Sequence, residues 1–217
     1  LQVAVAIGLA LLGIFIGRAL AREARNLRVI LAGNIESGAT IAIVGVALWF
    51  LITQSQVPVG ASAVLVAMCL AVTAAASSGH TADPRSDPAA KLAARVADFD
   101  DLLLIVTGAV LLVFVRGSYG PVPPSLLFAP IGIGVTVAVA GLLLFEHSEG
   151  ESERGLLVLG AVSLLGGASS YLMTSSLASG LVAGLVWTLV PGRADEVVHR
   201  EAQKLQHPLV ALVLVAA

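Results

Sequence analysis

Of the 217 residues, 58% are hydrophobic and only 12% are charged, and the mean hydropathy is +0.97. Soluble domains carry about a quarter of their residues as charge because their surface must be solvated, so this chain cannot coat a water-facing globule. A net charge of −2 without a basic patch excludes the usual signature of nucleic-acid binding.

Eight apolar segments follow one another, at about 2–20, 29–53, 58–79, 89–115, 124–145, 154–173, 175–190 and from 206 to the end. Runs of this length are the pattern of membrane-crossing helices. Open strands in lipid would leave backbone groups unpaired, so the expected fold is all-α: a polytopic transmembrane helical bundle in one domain over 1–217. The sixth and seventh segments, read as one helix of about 35 residues, would overshoot a ~30 Å hydrocarbon core. A break is therefore expected at Met173-Thr174-Ser175-Ser176. The chain opens within one apolar run and closes within another, which reads as a piece of a longer protein, cut at both ends.

The basic residues test this division. With the chain changing sides at each segment, Arg18, Arg22, Arg25 and Arg28 fall in the first connection. Arg85, Lys91 and Arg95 fall in or beside the third, Arg154 borders the fifth, and Arg193, Arg200 and Lys204 fall in the seventh. Only Arg116 lies opposite, so eleven of the 12 lysines and arginines share one side, which the positive-inside rule makes cytoplasmic. Trp49 and Trp187 read as interfacial anchors. The lone cysteine, Cys69, lies within an apolar run and reads as a small core residue.

The sharpest chemical feature is Asp98-Phe99-Asp100-Asp101, followed at once by LLLIVTGAVLLVFV. A helix opening near Pro88 puts Asp100 and Asp101 close to the bilayer midplane, where each charge costs at least ~2.5–3.5 kcal/mol. Carboxylates persist there where they face a water-filled cavity and bind something. A helix opening at Asp98 instead makes the acids N-terminal caps in the headgroup region. Neighbouring helix positions point about 100° apart, so the pair cannot clamp one small ion symmetrically. A midplane carboxylate that holds either a proton or a cation is enough to make an exchanger. Upstream, Ala71 to His80 reads AVTAAASSGH, whose small residues suit close crossing, or a broken helix with Thr73, Ser77 and Ser78 lining a cavity. Asn34 and Glu36 read as interfacial hydrogen-bonding groups, and Gly166-Gly167 and the Gly180/Gly184 pair as packing positions.

In order and spacing these segments resemble the membrane domain of the monovalent cation:proton antiporter superfamily, near its Kef-type and bacterial sodium/proton exchanger members. IGLALLGIFIGRAL, the small-residue stretch 61–78, FDDLLLIVTGAVL, SSLASGLVAGL and HPLVALVLVAA are each similar to a family helix. The resemblance implies a partial inverted-repeat antiporter fold that moves sodium or potassium against protons, in the plasma membrane of a bacterium or archaeon. It makes Asp101 the ion- and proton-binding carboxylate with Asp100 beside it, puts the monovalent cation at that pair, and places Thr73 at a helix break. It also implies a homodimer of the complete protein, no cofactor and no enzymatic reaction. Two departures stand out: the crossing segment lacks the family's Ser-Ser-Thr string, and the second inverted repeat with its basic partner residue is not present. Rival readings are a potassium channel or efflux system on the same fold, a membrane scaffold, and an intramembrane aspartyl protease, which needs aspartates on separate helices.

Overall fold

A computed structural model describes residues 2–23, 27–54, 67–72, 102–114, 124–148, 150–190 and 196–204. Among them every regular element is helical and no strand occurs. The helices are α1 (Gln2–Glu23), α2 (Leu27–Gln54), α3 (67–72), α4 (Leu102–Phe114), α5 (Ala129–His147), α6 (Glu151–Tyr171), α7 (Ser176–Leu189) and α8 (196–204), with a 3₁₀ turn at Pro124–Leu127. Three of them contain spans long and apolar enough to cross a membrane: Gln2–Arg22, Asn34–Ile52 and Ala129–His147. The chain divides into two compact units, one of 1–23 with 123–217 and one of 24–122.

The first unit is organised around α7, a short helix that packs chiefly on α1 and α5. Its 14 residues rise only about 21 Å, yet its core holds Ser176, Ser179, Gly180, Leu181, Ala183, Gly184 and Trp187, all buried. Glycine explains how α1 and α7 approach. A Cβ at Gly13 or Gly17 would strike the carbonyls of Leu177 and Leu181, and one at Gly180 or Gly184 would strike those of Ala10 and Ile14. Two glycine pairs spaced four apart, one on each helix, thus bring the backbones into contact, as small residues do between membrane helices. The matching order of these contacts makes α1 and α7 parallel.

Helix α5 joins them in the same sense. A Cβ at Gly134 would lie 2.6 Å from the Ser179 carbonyl oxygen, and Gly141 lies against the Trp187 indole, 3.0 Å from its edge by the same construction. Trp187 is fully buried, donates from Nε1 to the Ala138 carbonyl at 2.9 Å, and meets the Phe145 ring at 5.8 Å between centroids. It is therefore a core residue and not the interfacial anchor its sequence position suggests. Gly141 supplies the room. Trp49, on α2, is exposed.

Helix α6 runs against the other three, since short turns join it to α5 and α7, and Gly166 lets it close on Ile7 of α1. The break between α6 and α7 falls at 172–175, where excess length called for it. Thr174 N–H donates to the Ser169 carbonyl at 2.8 Å and Met173 N–H to that of Ser170 at 3.1 Å. These are the paired bonds of a Schellman ending, with Met173 at φ 50 in the left-handed position usually given to glycine. Ser175 then caps α7 by accepting from Ala178 N–H at 3.2 Å.

With α1, α5 and α7 parallel and α6 opposed, every charged side chain described in this unit falls at one end. Arg18, Arg22, Glu146, His147, Glu153 and Arg154 are joined there by those of α8. The opposite end, from Ala168 to Ser176 and at the starts of α1 and α5, carries none among the described residues.

The second unit contains α2, α3 and α4. One face of α2 meets both of the shorter helices. A Cβ at Gly38 would lie 3.3 Å from Leu103 Cδ2 of α4, and one at Gly45 would lie 4.0 Å from Ala71 Cβ of α3. Ala67 and Ala71, four apart, are buried, which turns Cys69 outward. The thiol is exposed, not a core group.

Candidate functional site

Asp100 and Asp101, the proposed ion pair, and Thr73, Ser77 and Ser78, the proposed cavity lining, all lie outside the described residues. Their flanks are described. Helix α4 is defined from Leu102, directly after Asp101, and α3 as far as Val72, directly before Thr73. Leu103 and Ala71, each two residues from a candidate, rest on Gly38 and Gly45 of α2. Seven residues separate these glycines, so they share one helix face about 10.5 Å apart along the axis.

That face of α2 continues one turn earlier to Asn34, which is half-buried, and Ser37 beside it is buried. Neither is without a partner. Glu36 points elsewhere: it is exposed, and its carbonyl accepts from Thr40 Oγ1 at 3.0 Å. The sequence treated Asn34 and Glu36 alike, but the helix separates them by two positions and roughly 200°. Only Asn34 belongs to the packed face.

The densest buried polar group of the first unit is the hydroxyl cluster where α6 gives way to α7. Ser169 Oγ donates to Ser179 Oγ at 2.9 Å, Ser179 Oγ donates to the Ser175 carbonyl at 3.2 Å, and Thr174 Oγ1 lies 3.5 Å from the Ser169 carbonyl. These bonds satisfy buried hydroxyls and cross-link the two helices in an apolar setting. With no acid or base among its members, the cluster is a structural corner. Sequence reading passed over it. Six serines and threonines in the eleven residues from Ser169 to Ser179 are the signal that would have found it.

Among the described residues no three His, Cys, Asp or Glu side chains come together in a way that could hold a metal ion. Comparison with models of known families, with characterised proteins and with solved structures finds no match.

Proposed function

We propose that this chain is the ion-carrying part of a secondary active transporter that exchanges a monovalent cation, sodium or potassium, for protons. The observation that carries the reading is the shared face of α2. Ala71 and Leu103, each two residues from a candidate in the sequence, both rest on it. The sequence supports the same view. A crossing of about 20 residues that ends where the chain turns polar at Arg116-Gly117-Ser118 would take in Asp100 and Asp101, and an ionisable group within the bilayer marks an ion path.

The helix directions support alternate crossings of all eight segments. Three crossings between α1 and α5 return the chain to its starting sense, and α1 and α5 are parallel. The charged end of the first unit is then the cytoplasmic end. On this reading the chain holds one of two inverted repeats of a longer, homodimeric protein in a bacterial or archaeal plasma membrane. Asp101 alternates between proton and cation, with Asp100 coupled to it and Thr73, Ser77 and Ser78 bordering the cavity.

The test is Asp101→Asn in the parent protein, reconstituted in vesicles. A neutral amide can be buried at less cost than a carboxylate but cannot carry a proton, so transport is lost while the protein still inserts and folds. Asp100→Asn keeps exchange with a weaker dependence on membrane potential and a shifted pH midpoint, because one member of a coupled pair is gone. Wild-type proton flux in Asp101→Asn overturns the reading.

A further inference from the structure

Burial takes Trp187 away from the lipid interface, but two other aromatic rings of the first unit stand outside its core. Phe128, at the N-cap of α5, is 67% exposed, and Tyr171, which ends α6, is 86% exposed. Because α6 runs against α5, the start of one and the finish of the other lie at the same end of the unit. It is the end that carries no charge among the described residues.

Helix lengths say where that end stands in a bilayer. Glu146 near the finish of α5 is exposed, as is Glu153 near the start of α6, and such charges belong in a headgroup layer because hydrocarbon penalises them. From Glu146 back to Phe128 is 18 residues, about 27 Å of helix, and from Glu153 on to Tyr171 is 18 residues again. Each distance nearly spans the ~30 Å of a hydrocarbon core, so both helices deliver an aromatic ring to the far boundary. A tyrosine suits that level, where its apolar ring meets acyl chains and its hydroxyl meets water and headgroups. Deeper, the hydroxyl would lie in hydrocarbon; further out, both rings would stand in water.

We propose that Phe128 and Tyr171 anchor the first unit to the lipid leaflet opposite its charged end, seated at the boundary between headgroups and acyl chains. The charges at one end and the two rings at the other then hold the bundle at a fixed height. The inference rests on the membrane reading of the chain and is independent of ion exchange.

Nitroxide depth measurements on the full chain in lipid nanodiscs test it, with Cys69→Ser as the background. Labels are placed singly at Phe128→Cys, Val135→Cys, Leu164→Cys and Tyr171→Cys, and collisions with oxygen and with a water-soluble nickel chelate report depth. Val135 and Leu164 are 39% and 57% exposed. Each lies seven residues from one anchor on the same helix face, about 10 Å along the axis. The labels at 128 and 171 are expected at headgroup level, and those at 135 and 164 about 10 Å deeper. A label at 128 or 171 as deep as its companion, or shielded from both reagents as it would be against a second protein, overturns the assignment. Water-like collisions at all four sites overturn the membrane reading itself. Holding is tested separately, with the label at Val135→Cys. Phe128→Ser together with Tyr171→Ser is expected to shift its depth by about 1.5 Å or more, one residue of rise, whereas Phe128→Tyr with Tyr171→Phe leaves it in place. An unchanged depth in the serine pair overturns the anchoring.

Discussion

The two units bury their membrane-length helices very differently. In the first unit 39% of the α1 span is buried, whereas in the second only 6% of the α2 span is. Helix α1 lies backbone against backbone on α7, while α2 leaves Leu31, Ile35, Ile43, Val46, Phe50 and Leu51 exposed and touches α3 and α4 through side chains. Both units use glycine, but to different ends. Gly184 admits another helix's main chain, which cannot yield. Gly45 merely faces a methyl group at ordinary contact distance. Hydrophobic surface does not drive helices together in lipid as it does in water. The first unit therefore owes its cohesion to close packing and hydrogen bonds, and among the described residues of the second α2 shows no comparable backbone contact.

Alanine at these two glycines breaks or upholds that contrast. Gly184→Ala drives a methyl group into the Ile14 backbone and is expected to cost about 3 kcal/mol, the upper range for overpacking. Gly45→Ala meets nothing closer than 4.0 Å among the described residues and gains about 0.5–1 kcal/mol from the removal of a helix-interior glycine. Reversible unfolding in mixed micelles measures both. Equal effects at the two sites would show that the seam between α1 and α7 is not what holds the first unit together.

The tryptophans sharpen the same comparison through their exposure to lipid. A protein retaining only Trp49 should be quenched by brominated acyl chains, and one retaining only Trp187 should not. Trp187→Phe also gives up the bond to the Ala138 carbonyl, at about 1 kcal/mol, whereas Trp49→Phe leaves stability unchanged. Strong lipid quenching of Trp187 would contradict its place in the core.

Much of this architecture is legible in the sequence, and the losses have physical causes. Helix class and the break at 172–175 follow from lengths measured against a bilayer, and those need no tertiary information. Gly180 and Gly184 stand out as packing residues, but nothing in the sequence pairs them with Gly13 and Gly17 some 170 positions away. Trp187 was misassigned because an aromatic near a helix end looks the same whether it faces headgroups or a neighbour's glycine. Cys69 was misassigned because composition does not say which side of a helix the alanines claim. Helix α8 escaped notice because Val197, Val198 and Ala202 are a faint signal beside apolar runs twice as long. For the candidate ion site the sequence supplies the residues, Asp100, Asp101, Thr73, Ser77 and Ser78. The structure contributes the flanking contacts and the distinction between Asn34 and Glu36.

The smallest expected effect lies at the turn between α6 and α7. Met173 holds φ 50 with its side chain 65% exposed, so it has a left-handed backbone and little packing to lose. The left-handed conformation costs a non-glycine residue about 1–2 kcal/mol, and glycine removes that cost. Against this, glycine enlarges the freedom of the unfolded chain by about 0.4–1 kcal/mol. The balance makes Met173→Gly stabilising by about 0.5–1 kcal/mol, because both backbone bonds of the Schellman ending, from Met173 and Thr174, are kept. Met173→Ala separates the causes: it trims the exposed side chain but retains the Cβ, so stability should not rise. The same micelle unfolding assay reads both variants. A gain in Met173→Ala equal to that in Met173→Gly would trace the effect to the methionine side chain and not to the left-handed backbone.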